Sequence, residues 1–147
     1  MKNYKVFLDS NILIHLTVSD IDENKTKKTL QKLDDLSDEG YDFYISTQVI
    51  REFFAVITGS KYLRNPLTSK KANEQIKDFR DKLKVKIIDD KTLDILGEIV
   101  EKYEIKGQKI HDTTIAAVMI RYGILKVMTY NDKDFGIYEE IEVIELD

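Results

Sequence analysis

Val6-Phe7-Leu8-Asp9-Ser10-Asn11-Ile12-Leu13-Ile14 is the stretch from which the fold can be read. Val6, Phe7 and Leu8 form a short apolar run of the kind a fully buried strand shows. Asp9 stops the run. Ser10 and Asn11, both favourable helix N-caps, then introduce a second apolar segment, Ile12-Leu13-Ile14. This pattern predicts a central strand, Tyr4 to Leu8, that hands over to a helix from Asn11 to about Val18. The carboxyl end of that strand delivers Asp9 to the place where open α/β sheets bind ligands. The plainer alternative is that Asp9 only helps to cap the helix.

The same alternation continues outward. Residues 19 to 24 read as a polar loop, and Leu30, Leu33 and Leu36 mark a helix over 25–37, with Gly40 as its stop. Asp42 to Ser46 reads as a strand, Thr47 to Thr58 as a helix, and Ser69 to Leu83 as a longer helix behind Pro66. Val85, Ile87 and Ile88 are expected to form a strand. A helix from Asp89 or Asp90 to Tyr103 follows, with Gly107 as a break. Next come a helix from His111 to Tyr122 ended by Gly123, a strand from Ile124 to Thr129, a polar loop, and a last strand from Ile141 to Leu146. Strands alternating with helices predict an α/β fold with a mostly parallel sheet between helical layers. One domain over residues 1–147 is expected.

Composition narrows the function classes. The chain is 147 residues long, with 42% hydrophobic and 34% charged residues, which suits a globular chain with a sizeable core. No apolar run approaches a membrane span and no signal-peptide h-region stands at the N-terminus, so no membrane role and a cytoplasmic location are expected. The absence of cysteine excludes disulfides and thiolate metal sites. There is no HExxH, no GxGxxG and no Walker loop, so neither zinc nor a nucleotide cofactor is indicated. The net charge is −4, but it is unevenly spread. From Ser60 to Lys86 there are nine basic and three acidic residues, so this segment carries +6 against −10 elsewhere. That asymmetry suits a basic face for phosphates together with an acidic site elsewhere. It equally suits a solvated helix surface laced with pairs such as Lys77 and Asp81.

The acidic residues gather at strand ends and helix starts. Glu52 borders the apolar face made by Val49, Ile50, Phe53, Phe54, Val56 and Ile57. A carboxylate there is costly to bury unless it is paired or binds a metal. Asp112 opens a nearly all-apolar helix and has Ile115, Ala116 and Met119 at i+3, i+4 and i+7, so it lies on a core-directed face. The alternative for Asp112 is a plain N-cap. Met128-Thr129-Tyr130-Asn131-Asp132-Lys133-Asp134 then places further acids just beyond a strand, where a solvated turn would use the same residue types. Acidic oxygens from distant segments are what a hard divalent cation such as Mg²⁺ or Mn²⁺ needs. His15 and His111 carry no metal-ligand spacing and are expected to pack or support.

Val-Phe-Leu-Asp-Ser-Asn-Ile-Leu, the helical Glu52, Lys109-Ile-His-Asp-Thr-Thr-Ile-Ala-Ala117 and Met128-Thr-Tyr-Asn-Asp-Lys-Asp-Phe135 together resemble the PIN domain family, in the order and spacing of VapC-type toxins of toxin–antitoxin pairs. The resemblance implies a three-layer fold with a central, mostly parallel sheet flanked by helices. It also implies a divalent-metal-dependent endoribonuclease acting on single-stranded RNA. On that resemblance Asp9, Glu52 and Asp112 are the catalytic and metal-holding residues, with Mg²⁺ or Mn²⁺ as cofactor. Asn11, Thr129, Asn131, Asp132 and Asp134 form the supporting site. Asn131 stands where many PIN domains have aspartate, and Asp132 and Asp134 flank it as substitutes. A homodimer and a cognate antitoxin are the implied partners besides RNA. Two rival readings are a PIN-like domain that binds RNA without cutting it and a phosphoacceptor signalling domain.

Overall fold

The computed structural model describes residues 3–18 and 22–146. Five parallel strands, β1 (Lys5–Leu8), β2 (Asp42–Ser46), β3 (Lys84–Lys86), β4 (Lys126–Met128) and β5 (Glu142–Ile144), form one sheet in the order β3-β2-β1-β4-β5. Helices fill every crossover: α1 (Ser10–Thr17) and α2 (Glu23–Asp38), α3 (Thr47–Ile57) and α4 (Ser69–Lys82), α5 (Asp90–Lys102) and α6 (Ile110–Arg121), and the short α7 (Asp132–Phe135). α1 packs on α2 and α3, α3 packs on α4, and α5 packs on α6. Two helical layers thus enclose the sheet in the expected three-layer α/β architecture.

The core explains the central strand. Val6, Phe7 and Leu8 are at most 1% exposed, and so are Ile45, Val127 and Met128 on the neighbouring strands. A parallel strand covered on both faces has no solvent side, so continuous apolar runs replace alternation. α6 is buried almost all round, with Ile115, Ala116, Ala117, Val118 and Met119 at most 1% exposed. The chain leaves β1 towards β2 and β3, then returns across the sheet to place β4 on the other side of β1. The switch point therefore lies between the carboxyl ends of β1 and β4, where Leu8 pairs with Met128.

Several boundaries differ from the sequence expectation. β3 is Lys84–Lys86, and Ile87 and Ile88 lie beyond it. The reason is register: Lys86 pairs with Ser46, after which β2 turns into α3, so Ile87 has no strand beside it and is 64% exposed. β4 and β5 are likewise shorter than expected, since Ile124 follows the left-handed Gly123 (φ 69°) and donates its N–H to Met119 before the strand begins. α2 starts at Glu23, because Asp22 caps it by accepting from the Lys25 N–H; residues 19–21 of the expected loop lie outside the described residues. The loop after β4 contains a turn of helix, α7, pinned by the fully buried Phe135. Gly107, at φ 63°, opens a 3-10 turn that leads directly into α6. On α3, Val49, Phe53 and Ile57 are fully buried, Ile50 and Val56 are half-buried, and Phe54 remains 38% exposed.

Candidate active site

Asp9 stands at the switch point. Its backbone N–H donates to the Met128 carbonyl at 3.1 Å, which extends the β1–β4 ladder by one residue. Its side chain is 4% exposed and caps α1, but it does more than cap. Oδ1 accepts from the Ser10 N–H at 2.7 Å, and Oδ2 accepts from Thr129 Oγ1 at 2.8 Å and from Asn11 Nδ2 at 3.3 Å. Asp9 therefore caps α1 and also stands, as expected, at the carboxyl end of β1. Asn11 also spans the switch point, since Nδ2 donates to Thr129 Oγ1 and Oδ1 accepts from the Tyr130 N–H, each at 3.3 Å. Thr129 Oγ1 in turn accepts from the Asn131 N–H at 3.0 Å.

Glu52 arrives from α3. Its Oε2 accepts from Ser10 Oγ at 3.2 Å and its Oε1 from Gln48 Nε2 at 3.1 Å. Asp112 arrives from the first turn of α6. The plain-cap alternative fails there: Lys109 occupies the N-cap position without a side-chain bond, and Asp112 lies inside the helix, half-buried. Thr113 and Thr114 bond back to the carbonyls of Lys109 and Ile110, so the crowding of polar groups in this turn is partly internal.

Electrostatics tie these residues together. Burial pushes the Asp9 carboxyl up to about 6, against the hydrogen bonds from Thr129 and Ser10, and the charges of Glu52 and Asp112 push it further the same way. Asp112 is also raised, first by burial, then by the charges of Asp134 and Glu52. Among the described residues none of the ion pairs includes Asp9, Glu52, Asp112 or Asp134. The site is thus a set of like charges on oxygen donors, which is the donor chemistry that a hard cation fits. No three of the described histidine or acidic groups are drawn up in a geometry that would hold an ion as they stand.

The supporting residues divide. Asn11 and Thr129 touch Asp9. Asp134 is exposed and acts on Asp112 through its charge. Asn131 is exposed, and its side chain makes no capping bond to α7. Asp132 turns towards a neighbouring cleft of about 880 Å³, which it lines with Lys25, Lys28, Thr129 and Tyr130. His15 meets Tyr130 edge-on at 4.7 Å and packs as expected, whereas His111 is exposed and its ring only hydrogen-bonds Gln108 at 3.1 Å, so the packing expectation does not hold for it. Sequence reasoning passed over Gln48 and took Ser10 only as a possible cap. For Gln48 the signal was present: it is the one polar side chain a helical turn before Glu52 on an otherwise apolar face.

The fold has known counterparts. No curated protein matches the sequence. Among solved structures, a chain of the VapBC2 complex of Rickettsia felis, bound to a promoter DNA fragment, is similar at TM-score 0.70 and 19% identity, over 95% of this chain and 97% of that one. VapBC-1 of nontypeable Haemophilus influenzae is similar at TM-score 0.70 and 17% identity, over 97% and 98% of the two chains. VapC20 of Mycobacterium tuberculosis, a sarcin-ricin-loop-cleaving toxin, is similar at TM-score 0.65 and 13% identity, over 92% and 98%. At these identities the likeness is one of fold. The sequence itself goes further, since the family model for the PIN domain matches residues 6–140, a span that holds Asp9, Glu52, Asp112 and Asp134; the chain belongs to the PIN domain family.

Proposed function

We propose that this protein is a divalent-metal-dependent endoribonuclease that cleaves single-stranded RNA and serves as the toxin of a toxin–antitoxin pair. The observation that carries the reading is the meeting of Asp9, Glu52 and Asp112 at the β1–β4 switch point: Ser10, next to Asp9, donates to Glu52, and Gln48 donates both to Glu52 and to the carbonyl just before Asp112. Asp9 and Asp112 would hold Mg²⁺ or Mn²⁺, with Glu52 contributing directly or through water, and Asp134 adding charge beside Asp112. When bound, such a cation lowers the pKa of a water ligand and neutralises charge on the scissile phosphate. Asn11, Thr129 and the Ser10 N–H orient Asp9 by occupying lone pairs that would otherwise be unsatisfied. Glu52, which Ser10 and Gln48 hold by hydrogen bonds, or Asp112 would orient or deprotonate that water. The exposed cations of residues 60–86, most of them on α4 and the loop before it, would hold the RNA backbone.

The antitoxin rests on the neighbours, whose VapBC complexes pair a toxin with its partner. A homodimer is part of the same reading, and Phe54, exposed on α3, is the apolar group here that suits it. The phosphoacceptor alternative finds less support, because Ser10 and Asn11 rather than a second acid follow Asp9, and Glu52 comes from the helix α3. The test is direct. Purified protein is incubated with single-stranded RNA in Mg²⁺ or Mn²⁺, with and without EDTA. Cleavage that the chelator stops supports the reading. Cleavage indifferent to EDTA removes the metal mechanism, and RNA binding without cleavage favours the non-catalytic alternative.

A further inference from the structure

Gln48 lies on α3, four residues before Glu52, and is 5% exposed. Its Nε2 donates to Glu52 Oε1 at 3.1 Å and to the His111 carbonyl at 3.0 Å. His111 immediately precedes Asp112, so one amide nitrogen ties the carboxylate of α3 to the first turn of α6. Both amide protons are committed to acceptors, which leaves the group a single orientation. Turned over, it would set its oxygen against two acceptors. As it stands, Oε1 is buried and lacks a partner among the described residues.

This is a costly choice of residue. A buried, unsatisfied acceptor destabilises the fold, and an apolar side chain of the same volume would avoid it. The neighbouring positions on this face, Val49, Phe53 and Ile57, are fully buried hydrophobes. What the amide supplies in return is two donors aimed at chosen places. Glu52 is held at its second oxygen by Ser10 Oγ, so neutral donors from two helices grip it at both ends. Neutral donors fix a carboxylate without cancelling its charge, whereas a lysine or arginine would do both.

We propose that Gln48 is a positioning residue, which fixes the Glu52 carboxylate against the first turn of α6 and so sets the Glu52–Asp112 separation on which holding a divalent cation would depend. The proposal rests on the metal-dependent nuclease reading above. Gln48→Met keeps the volume and removes both donors and the orphaned oxygen. The variant is expected to melt no lower than wild type, while its Kd for Mn²⁺, measured by calorimetry, rises about 10–100-fold. With RNA, kcat falls and KM holds. A merely structural glutamine gives the opposite pattern: a lower melting temperature with Mn²⁺ affinity intact, and that result overturns the proposal.

A second measurement needs no variant. In a Mg²⁺ titration of the wild-type protein followed by ¹⁵N NMR, the Gln48 side-chain amide should shift with the same half-saturation as the Ser10 backbone amide. An amide that stays put overturns the proposal even if Gln48→Met fails to fold. Asp9→Asn separates the two levels. If Asp9→Asn leaves Mn²⁺ binding unchanged, the metal reading itself falls; if it abolishes binding while Gln48→Met leaves the Kd within about twofold, well below the range of such supporting effects, only the role of Gln48 falls.

Discussion

The two ends of the sheet treat charge in opposite ways. At the amino ends of the strands, Lys84, Asp42, Lys5, Lys126 and Glu142 are the first residues of β3, β2, β1, β4 and β5, in the order the strands lie side by side. Lys84 bonds Asp42 at 3.1 Å, Lys126 bonds the Tyr41 hydroxyl at 3.1 Å, and the Tyr44 ring is approached by Lys5 and Lys84 at 6.0 and 5.7 Å. Signs mix there, and cations find partners. At the carboxyl ends, Asp9, Glu52, Asp112 and Asp134 bring one sign together and raise one another's cost. The amino end carries charge in a form that folding tolerates. The carboxyl end carries it without an ion pair on any of the four among the described residues, and that difference is why we propose the metal site there.

The sharpest way to break this contrast is Asp9→Asn. Losing the central carboxylate is expected to lower the RNA cleavage rate by about 10²–10⁴-fold, because the neutral amide removes ligand charge from the cation that would activate the water. Stability at neutral pH should not fall in step. Holding Asp9 ionised in its buried setting, some two units above the ordinary carboxylate value, costs about 3 kcal/mol. The amide escapes that cost but loses part of the hydrogen bonding from Ser10, Asn11 and Thr129. Single-turnover cleavage alongside thermal melts checks both halves. A variant that loses activity only because it unfolds would place Asp9 with the structural charges of the other end.

The next effect is a pH dependence of opposite sign from that of a stabilising salt bridge. Below about pH 4 the Asp9 carboxyl is protonated in the folded and the unfolded chain alike. Between there and about pH 6 the unfolded chain ionises first, so the folded state binds more protons and its stability falls as pH rises. Above about pH 6 the loss is complete. Asp112, also raised, acts in the same direction. Mg²⁺ binds the ionised form, so its stabilisation should be small at pH 5 and reach about 2.7 kcal/mol at pH 7.5 once its concentration is a hundred times its Kd. Melting curves on a pH grid, with and without Mg²⁺, test this. Equal Mg²⁺ effects at both pH values would separate the cation from these carboxylates.

How much of this was legible beforehand differs between the two ends as well. Asp9, Glu52 and Asp112 could be read because each interrupts or borders an apolar run, and a carboxylate in that position needs a reason. Asn11 and Thr129 were readable by their neighbourhood. The length of β3 was not, because Ile87 and Ile88 have strand propensity and only the end of β2 at Ser46 denies them a partner. Nor was α7, whose four residues look like a turn until Phe135 is seen to be anchored in the core. The grip of Gln48 on the His111 carbonyl joins residues 63 apart in sequence, and no local pattern encodes that distance.

The choice among Asn131, Asp132 and Asp134 sharpens the contrast at a finer grain. Asp134 acts on Asp112, whereas Asp132 lines the adjoining cleft beside Lys25. Asp134→Asn should therefore weaken Mn²⁺ binding several-fold, and Asp132→Asn or Asn131→Asp should change it less. Calorimetry on the three variants decides it, and a larger loss for Asp132→Asn would move the fourth acidic position by two residues.

The smallest effect belongs to the amino end. In the Lys84–Asp42 pair both side chains are more than half exposed, at 57% and 58%. Solvent screens such a pair and its long side chain loses rotamer freedom on pairing, so little net stability remains. Lys84 also lies over Tyr44, and its methylene stem can cover that ring whether or not the charge is present. Lys84→Met should therefore shift the melting temperature by no more than about 2 °C and leave Mn²⁺ affinity and RNA cleavage untouched. Raising the salt concentration should shrink even that difference, since exposed charges are screened within about 10 Å at 0.1 M salt. A large loss of stability would mean that the lysines around Tyr44 act as one network. A loss of cleavage would be more telling, because it would carry RNA contacts to the end of the sheet away from the carboxylates, and the division of labour between the two ends would no longer stand.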